Sequence, residues 1–131
     1  MTFKSVHHVV IRVTDFDKAV ATYRDALGME LDYIKEVPDV GVKQAIFPLP
    51  DGGLFEIVAP LAAESPVGRA LERGGEGVHS LAMEVENLAK SIDELRERGV
   101  PLIGAEDPVN SLVFIHPRAT HGVLIQLFEP E

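Results

Sequence analysis

The chain has 131 residues, 46% hydrophobic and 25% charged, with 21 acidic against 12 basic residues and a formal net charge of −9. That length bounds one domain with one core, and the acidic balance disfavours nucleic acid or an anionic membrane as partner while leaving room for a local basic pocket around an anionic substrate. Cysteine is absent, which removes disulfides, thiolate metal ligands and a thiol nucleophile. The opening Met1-Thr2-Phe3-Lys4-Ser5 lacks the apolar core of a signal peptide, and no apolar run approaches the roughly 20 residues that span a bilayer. A cytoplasmic protein is expected.

The first element is an alternating strand over 7–13, with Val9, Ile11 and Val13 on one face and His8, Val10 and Arg12 on the other. An amphipathic helix follows, carrying Phe16, Ala19, Val20, Tyr23 and Leu27 at helical spacing, with Thr14 or Asp15 as N-cap and Gly28 as its stop. Strands are expected at about 29–36, 42–49 and 53–59, the last two joined by a turn at Pro50-Asp51-Gly52-Gly53. Ser65-Pro66 opens a short helix in a connector, and Gly74-Gly75-Glu76-Gly77 closes it. The succession then starts again. A strand over 79–85 precedes a helix on Leu88, Ile92 and Leu95, capped by Asn87 and stopped by Gly99. Strands follow at about 100–105, 111–116 and 122–128, with a turn near Pro117-Arg118-Ala119-Thr120.

The chain therefore repeats a βαβββ module. His7-His8-Val9-Val10-Ile11-Arg12-Val13 corresponds to His79-Ser80-Leu81-Ala82-Met83-Glu84-Val85, and Phe55-Glu56-Ile57-Val58 to Ile125-Gln126-Leu127-Phe128. Module 1 covers about 1–62, the connector about 63–77 and module 2 about 78–131, all within a single domain 1–131. The alternation places His8, Glu56, Ser80 and Gln126 at equivalent positions on the strand face away from the helices, and sends His79 to the helix side.

This pattern resembles the vicinal-oxygen-chelate (glyoxalase/bleomycin-resistance/dioxygenase) superfamily, and within it the methylmalonyl-CoA epimerases. The matching stretches are His8-Val9-Val10-Ile11-Arg12-Val13, Ala21-Thr22-Tyr23-Arg24-Asp25-Ala26-Leu27-Gly28, Glu56-Ile57-Val58-Ala59-Pro60-Leu61, Ser65-Pro66-Val67-Gly68, Gly75-Glu76-Gly77-Val78-His79 and His116-Pro117-Arg118-Ala119-Thr120-His121-Gly122-Val123-Leu124-Ile125. The resemblance implies an α+β fold of paired βαβββ modules, forming a cupped eight-stranded mixed sheet with helices on the outer face. It implies a homodimer, an acyl-CoA or other small-molecule substrate, and one divalent metal that polarises a thioester carbonyl beside proton-transfer groups.

Carried over residue by residue, the resemblance assigns His8, Glu56 and Gln126 as metal ligands. Ser80 stands where the family has a ligand histidine, and Gln126 where it has a ligand glutamate. Gln44, in Gly41-Val42-Lys43-Gln44-Ala45, stands at the position of a catalytic glutamate. Gln44, Gln126 and Arg12 are the candidates for catalytic positions, but neither glutamine can accept a proton. Hydroxyl and amide oxygens are weaker ligands than imidazole and carboxylate, so the metal, whether Co, Mn, Zn, Ni or Mg, would keep water in its shell. Arg12, Ser80, His116 and His121 are substrate-binding candidates. For Arg12 the bland alternative is a partner for Glu56 or Glu84; for Ser80, pocket lining; for the two histidines, stabilising a turn. His79 is expected to be structural, and Lys43 and Arg118 could meet CoA phosphates. The leading expectation is an isomerase that enolises a 2-substituted malonyl thioester. A metal-free small-molecule-binding protein and a glyoxalase-like lyase are the alternatives, and the lack of a two-histidine, one-carboxylate set disfavours a dioxygenase.

Overall fold

In the computed structural model, which describes residues 3–108 and 112–131, both βαβββ successions are present. The strands are β1 (Phe3–Arg12), β2 (Tyr33–Val37), β3 (Val42–Pro48), β4 (Leu54–Pro60), β5 (Gly77–Val85), β6 (Leu102–Ile103), β7 (Val113–Ile115) and β8 (Ile125–Phe128). The helices are α1 (Phe16–Ala21), α2 (Pro66–Gly74) and α3 (Leu88–Glu97). The strands form one open mixed sheet in the order β2-β3-β4-β1-β5-β8-β7-β6. β1 runs parallel to β4 and β5 parallel to β8, whereas β2–β3, β3–β4, β6–β7 and β7–β8 are antiparallel. The fold is α+β, as expected. Among the described residues no helix is long and apolar enough to cross a membrane. The chain clusters into two compact units: His8–His79, and Ser80–Glu131 together with the chain's start up to His7.

In the first unit, Asp15 rather than Thr14 caps α1, its carboxylate accepting from the Lys18 amide at 3.1 Å. The helix expected to run to Leu27 stays α-helical only through Ala21. Thr22–Ala26 widens into a π-helical turn, in which the Leu27 amide reaches back to Thr22 O at 3.0 Å. Leu27 is 61% exposed and leaves the apolar face, which ends instead at Tyr23, packed on Phe55 with ring centroids 5.0 Å apart. Ile11, Val13, Phe16, Val20, Ala45, Phe47, Ile57 and Ala59 form the core beneath α1. This is the inward row that the β1 alternation predicts.

The opposite face of this unit is covered at one end. Val10, Val42 and Val58 cluster with Val67 of α2, with Val37 and Leu71 alongside, so the connector helix packs on the face that carries His8 and Glu56. Ser65 caps α2 by accepting from the Gly68 amide at 3.2 Å. Gly68 is glycine for a tertiary reason: a Cβ there would lie 2.4 Å from Ala63 O and 2.8 Å from Ala62 O. Both obstacles are backbone, so Gly68→Ala must displace α2 or the 62–63 loop. We expect a loss of about 1–3 kcal/mol, seen as a lower Tm with an unchanged far-UV spectrum; an unchanged Tm would mean that this contact yields freely.

In the second unit Asn87 caps α3 through the Lys90 amide (2.9 Å), and the Glu129 carboxylate takes the Leu88 amide (2.6 Å). Val85, Ile92, Leu95, Ala105, Val113, Ile115 and Leu127 form its core. The strand expected over 100–105 pairs only at Leu102 and Ile103. Pro101 has no amide to donate, and Gly104 turns away at φ +81°. β7 is likewise shorter than expected; residue 111, the anticipated start of that strand, and the loop residues 109 and 110 lie outside the described residues.

Candidate active site

The first unit gathers most of the chemistry. The parallel ladder pairs His8 with Leu54 and Val10 with Glu56, so His8 and Glu56 share one face and sit one row apart diagonally, on adjacent strands. His8 is buried and Glu56 half-buried. Continuing the rows through β4, β3 and β2, Val10, Glu56, Ile46 and Tyr33 lie side by side, and the next row reads Arg12, Val58, Gln44 and Lys35. Glu56 thus stands between two buried aliphatic neighbours, Val10 and Ile46. Loss of water there pushes its carboxyl up from near 4.5 to about 7, with the positive charge of Lys35 pulling the other way. Such a carboxyl can hold a cation in its charged form, or exchange a proton near neutrality in its free form.

Arg12 lies on this face but is engaged elsewhere. Its Nε donates to Gly75 O at 2.8 Å and its Nη1 to Val78 O at 3.1 Å, which fastens the C-terminal end of α2 and the strand that follows. Glu76 completes the clasp by accepting from both the amide and the hydroxyl of Thr14, at 2.9 and 3.1 Å. His79 is half-buried; its Nδ1 is buried and has no hydrogen-bond partner among the described residues. Burial, then the charges of Arg12 and Arg73, hold its imidazole below the usual range. Lys43 lies over the Phe16 ring, 4.9 Å from its centroid, on the α1 side and away from Glu56.

In the second unit Gln126 occupies a row between Ala82 and Phe114, on the face away from α3, and is half-buried. Ser80 is 4% exposed. His116 serves as a cap: its Nδ1 accepts from the Arg118 amide at 3.1 Å and starts the short 3-10 turn Pro117–Ala119. That bond fixes the proton of the neutral ring on Nε2, the one nitrogen left to donate. His121 is exposed and adopts φ +58°, just ahead of Gly122, so the turn it flanks is built on a left-handed pair. Among the described residues no three His, Asp or Glu side chains are grouped so as to share a metal.

Lys35 and Tyr33 are the residues of this face that sequence reasoning missed. A strand was expected at about 29–36 and forms over Tyr33–Val37, but the register that sets it against Gln44 and Ile46 was not visible.

An open mixed sheet built from two βαβββ successions, with a histidine on the first strand and a glutamate on the fourth strand's matching face, defines a vicinal-oxygen-chelate protein. The chain belongs to the glyoxalase/bleomycin resistance protein/dioxygenase superfamily, whose family model matches residues 7–112. Its relatives within that superfamily include epimerases. It is 33% identical over 128 residues to the ethylmalonyl-CoA/methylmalonyl-CoA epimerase of Cereibacter sphaeroides, covering 93% of this chain and 95% of that protein. Among solved structures it is similar to the methylmalonyl-CoA epimerase of Mycobacterium tuberculosis, with a TM-score of 0.87 and 34% identity over 98% of this chain and 89% of that one. It is also similar to a methylmalonyl-CoA epimerase solved with methylmalonyl-CoA and NH4+, with a TM-score of 0.87 and 28% identity over 98% of this chain and 95% of that one.

Proposed function

We propose that this protein is an isomerase of the methylmalonyl-CoA epimerase kind. It would remove and return the proton at the carbon between the thioester and the carboxylate of a 2-substituted malonyl thioester, with an acyl-CoA as the substrate class. The observation that carries this reading is the pairing of His8 and Glu56 on one strand face, in a chain that aligns along nearly its whole length with epimerases. The donors suit a divalent cation: an imidazole, and a carboxylate that burial between Val10 and Ile46 leaves in need of positive charge. His8 and Glu56 would hold the ion, with water completing the shell. A divalent ion held by these residues supplies Lewis-acid polarisation of the thioester carbonyl. Gln44, one row from Glu56, can orient substrate through its amide but cannot take the proton. His116, through Nε2, and Ser80 remain proposed substrate contacts. A cytoplasmic homodimer is the proposed assembly.

The scarcity of strong donors favours one competing reading, a metal-free binding protein on the same fold. One experiment separates the two. The protein, with cobalt or manganese supplied, is incubated in heavy water with a 2-methylmalonyl thioester, and deuterium is sought at the α-carbon. Exchange well above background, lost together with stoichiometric metal in His8→Ala, is expected. No exchange and no stoichiometric metal in the parent would leave the binding protein standing.

A further inference from the structure

We propose that Lys35 is the residue that receives the anionic oxygens of the thioester substrate, a specificity role resting on the isomerase reading above. The inference starts from register. β2 pairs with β3 so that Lys35 lies beside Gln44, and Gln44 beside Val58, in the row next to that of Glu56. The side chain stays on this face: its ammonium sits 5.5 Å from the centroid of the Tyr33 ring, and Tyr33 lies in the same row as Ile46 and Glu56. The other strand cations of the unit are occupied. Arg12 spends Nε and Nη1 on the carbonyls of Gly75 and Val78, and Lys43 lies over Phe16 on the opposite face.

Charge balance then gives Lys35 its use. The chain carries a net −9, and a malonyl thioester adds a carboxylate and phosphates that an ion held by His8 and Glu56 does not by itself neutralise. Anionic groups brought to an acidic protein bind more readily where a side-chain cation stands within reach. Lysine is a compact point charge suited to carboxylate or phosphate oxygens without demanding a fixed fork geometry. β2 is the outer strand of the unit and Lys35 is exposed, so the ammonium can swing from the Tyr33 ring to an incoming anion. The ring holds it meanwhile by a cation–π contact of modest strength.

The substrate offers two sources of that anion, the malonyl carboxylate and the CoA phosphates. Lys35→Met keeps the stem length over Tyr33 and removes the charge; Lys35→Arg restores it. With 2-methylmalonyl-pantetheine, which has the carboxylate and no phosphate, Lys35→Met should bind about tenfold more weakly by calorimetry. KM for deuterium exchange should rise by a similar factor while kcat changes far less, and Lys35→Arg should recover most of the loss. Weakening seen with the CoA thioester alone would assign the anion to phosphate. Equal affinity of parent and Lys35→Met for both thioesters would overturn the proposal, even with exchange intact. A parent that binds both thioesters without exchanging the α-proton would sink the isomerase reading instead, and calorimetry on the same variants would still decide the role of Lys35.

Discussion

In chelator-treated protein, Glu56→Gln is expected to be more stable than the parent above pH 7 and equal to it near pH 4. The carboxyl is held at about 7 in the folded protein against near 4.5 without burial. Below that lower value it is neutral whether the chain is folded or not, and it contributes nothing to the difference. Between the two values the unfolded chain releases the proton first, so the folded state carries the extra proton and loses ground as pH rises. Above about pH 7 the buried carboxylate is charged and the full cost is present, about 3 kcal/mol at 1.36 kcal/mol for each pH unit of difference. An amide is never ionised, so Glu56→Gln should show no such decline. Divalent metal should reverse the order, because it stabilises the parent's carboxylate and has less to gain from the amide. Urea melts at pH 4, 6 and 8, with chelator and with cobalt, check both halves. Parallel pH profiles for parent and mutant would mean that Glu56 is solvated.

Ser80→His should gain affinity for cobalt and lose stability without it. Ser80 is the repeat counterpart of His8, and imidazole is a far better ligand for a borderline divalent ion than a hydroxyl. With only 4% of Ser80 exposed, a larger ring must displace neighbours, at a cost of about 1–3 kcal/mol in the metal-free protein. If this position faces the ion, cobalt should bind at least tenfold more tightly, about 1.4 kcal/mol, and its stabilising effect on Tm should exceed that in the parent. Calorimetric titration of both proteins is the measurement. Equal or weaker affinity would mean that Ser80 does not stand at the position of the family's ligand histidine.

The repeat and the alternation within strands carried most of the fold. Period-two patterning is a direct consequence of the pleat, and it separated Val9, Ile11 and Val13 from His8, Val10 and Arg12 without any tertiary information. Cap residues were equally readable, because Ser65, Asn87 and Asp15 act through bonds three residues away. What remained hidden depends on distant chain. The π-helical turn at Thr22–Ala26 has the same apolar spacing as an α-helix as far as Tyr23, and only the exposure of Leu27 betrays it. Gly68 stands in a stretch that marked the resemblance, yet its necessity comes from the carbonyls of Ala62 and Ala63. Arg12 read as a substrate contact or a partner for Glu56 or Glu84, whereas the carbonyls of Gly75 and Val78 claim it. The register of β2 could not be derived either, and with it went the place of Lys35. That His8 and Glu56 share one strand face was legible from the alternation; the residues that flank them were not, because those are set by strand register.

The parallel pairing of β1 with β4 has a further consequence, for cooperativity. An antiparallel pair can zip from its turn, but His8 and Glu56 become neighbours only when the chain closes over the whole stretch that carries α1, β2 and β3. Such long-range closure is among the slower events of folding, and once made it belongs to the whole unit. Fraying of the π-helical turn or of the β2 edge leaves the histidine and the glutamate side by side; parting them requires the central ladder to open. A ligand gripping both residues therefore acts on the unit's global equilibrium, and its binding energy is distributed over every amide in that ladder.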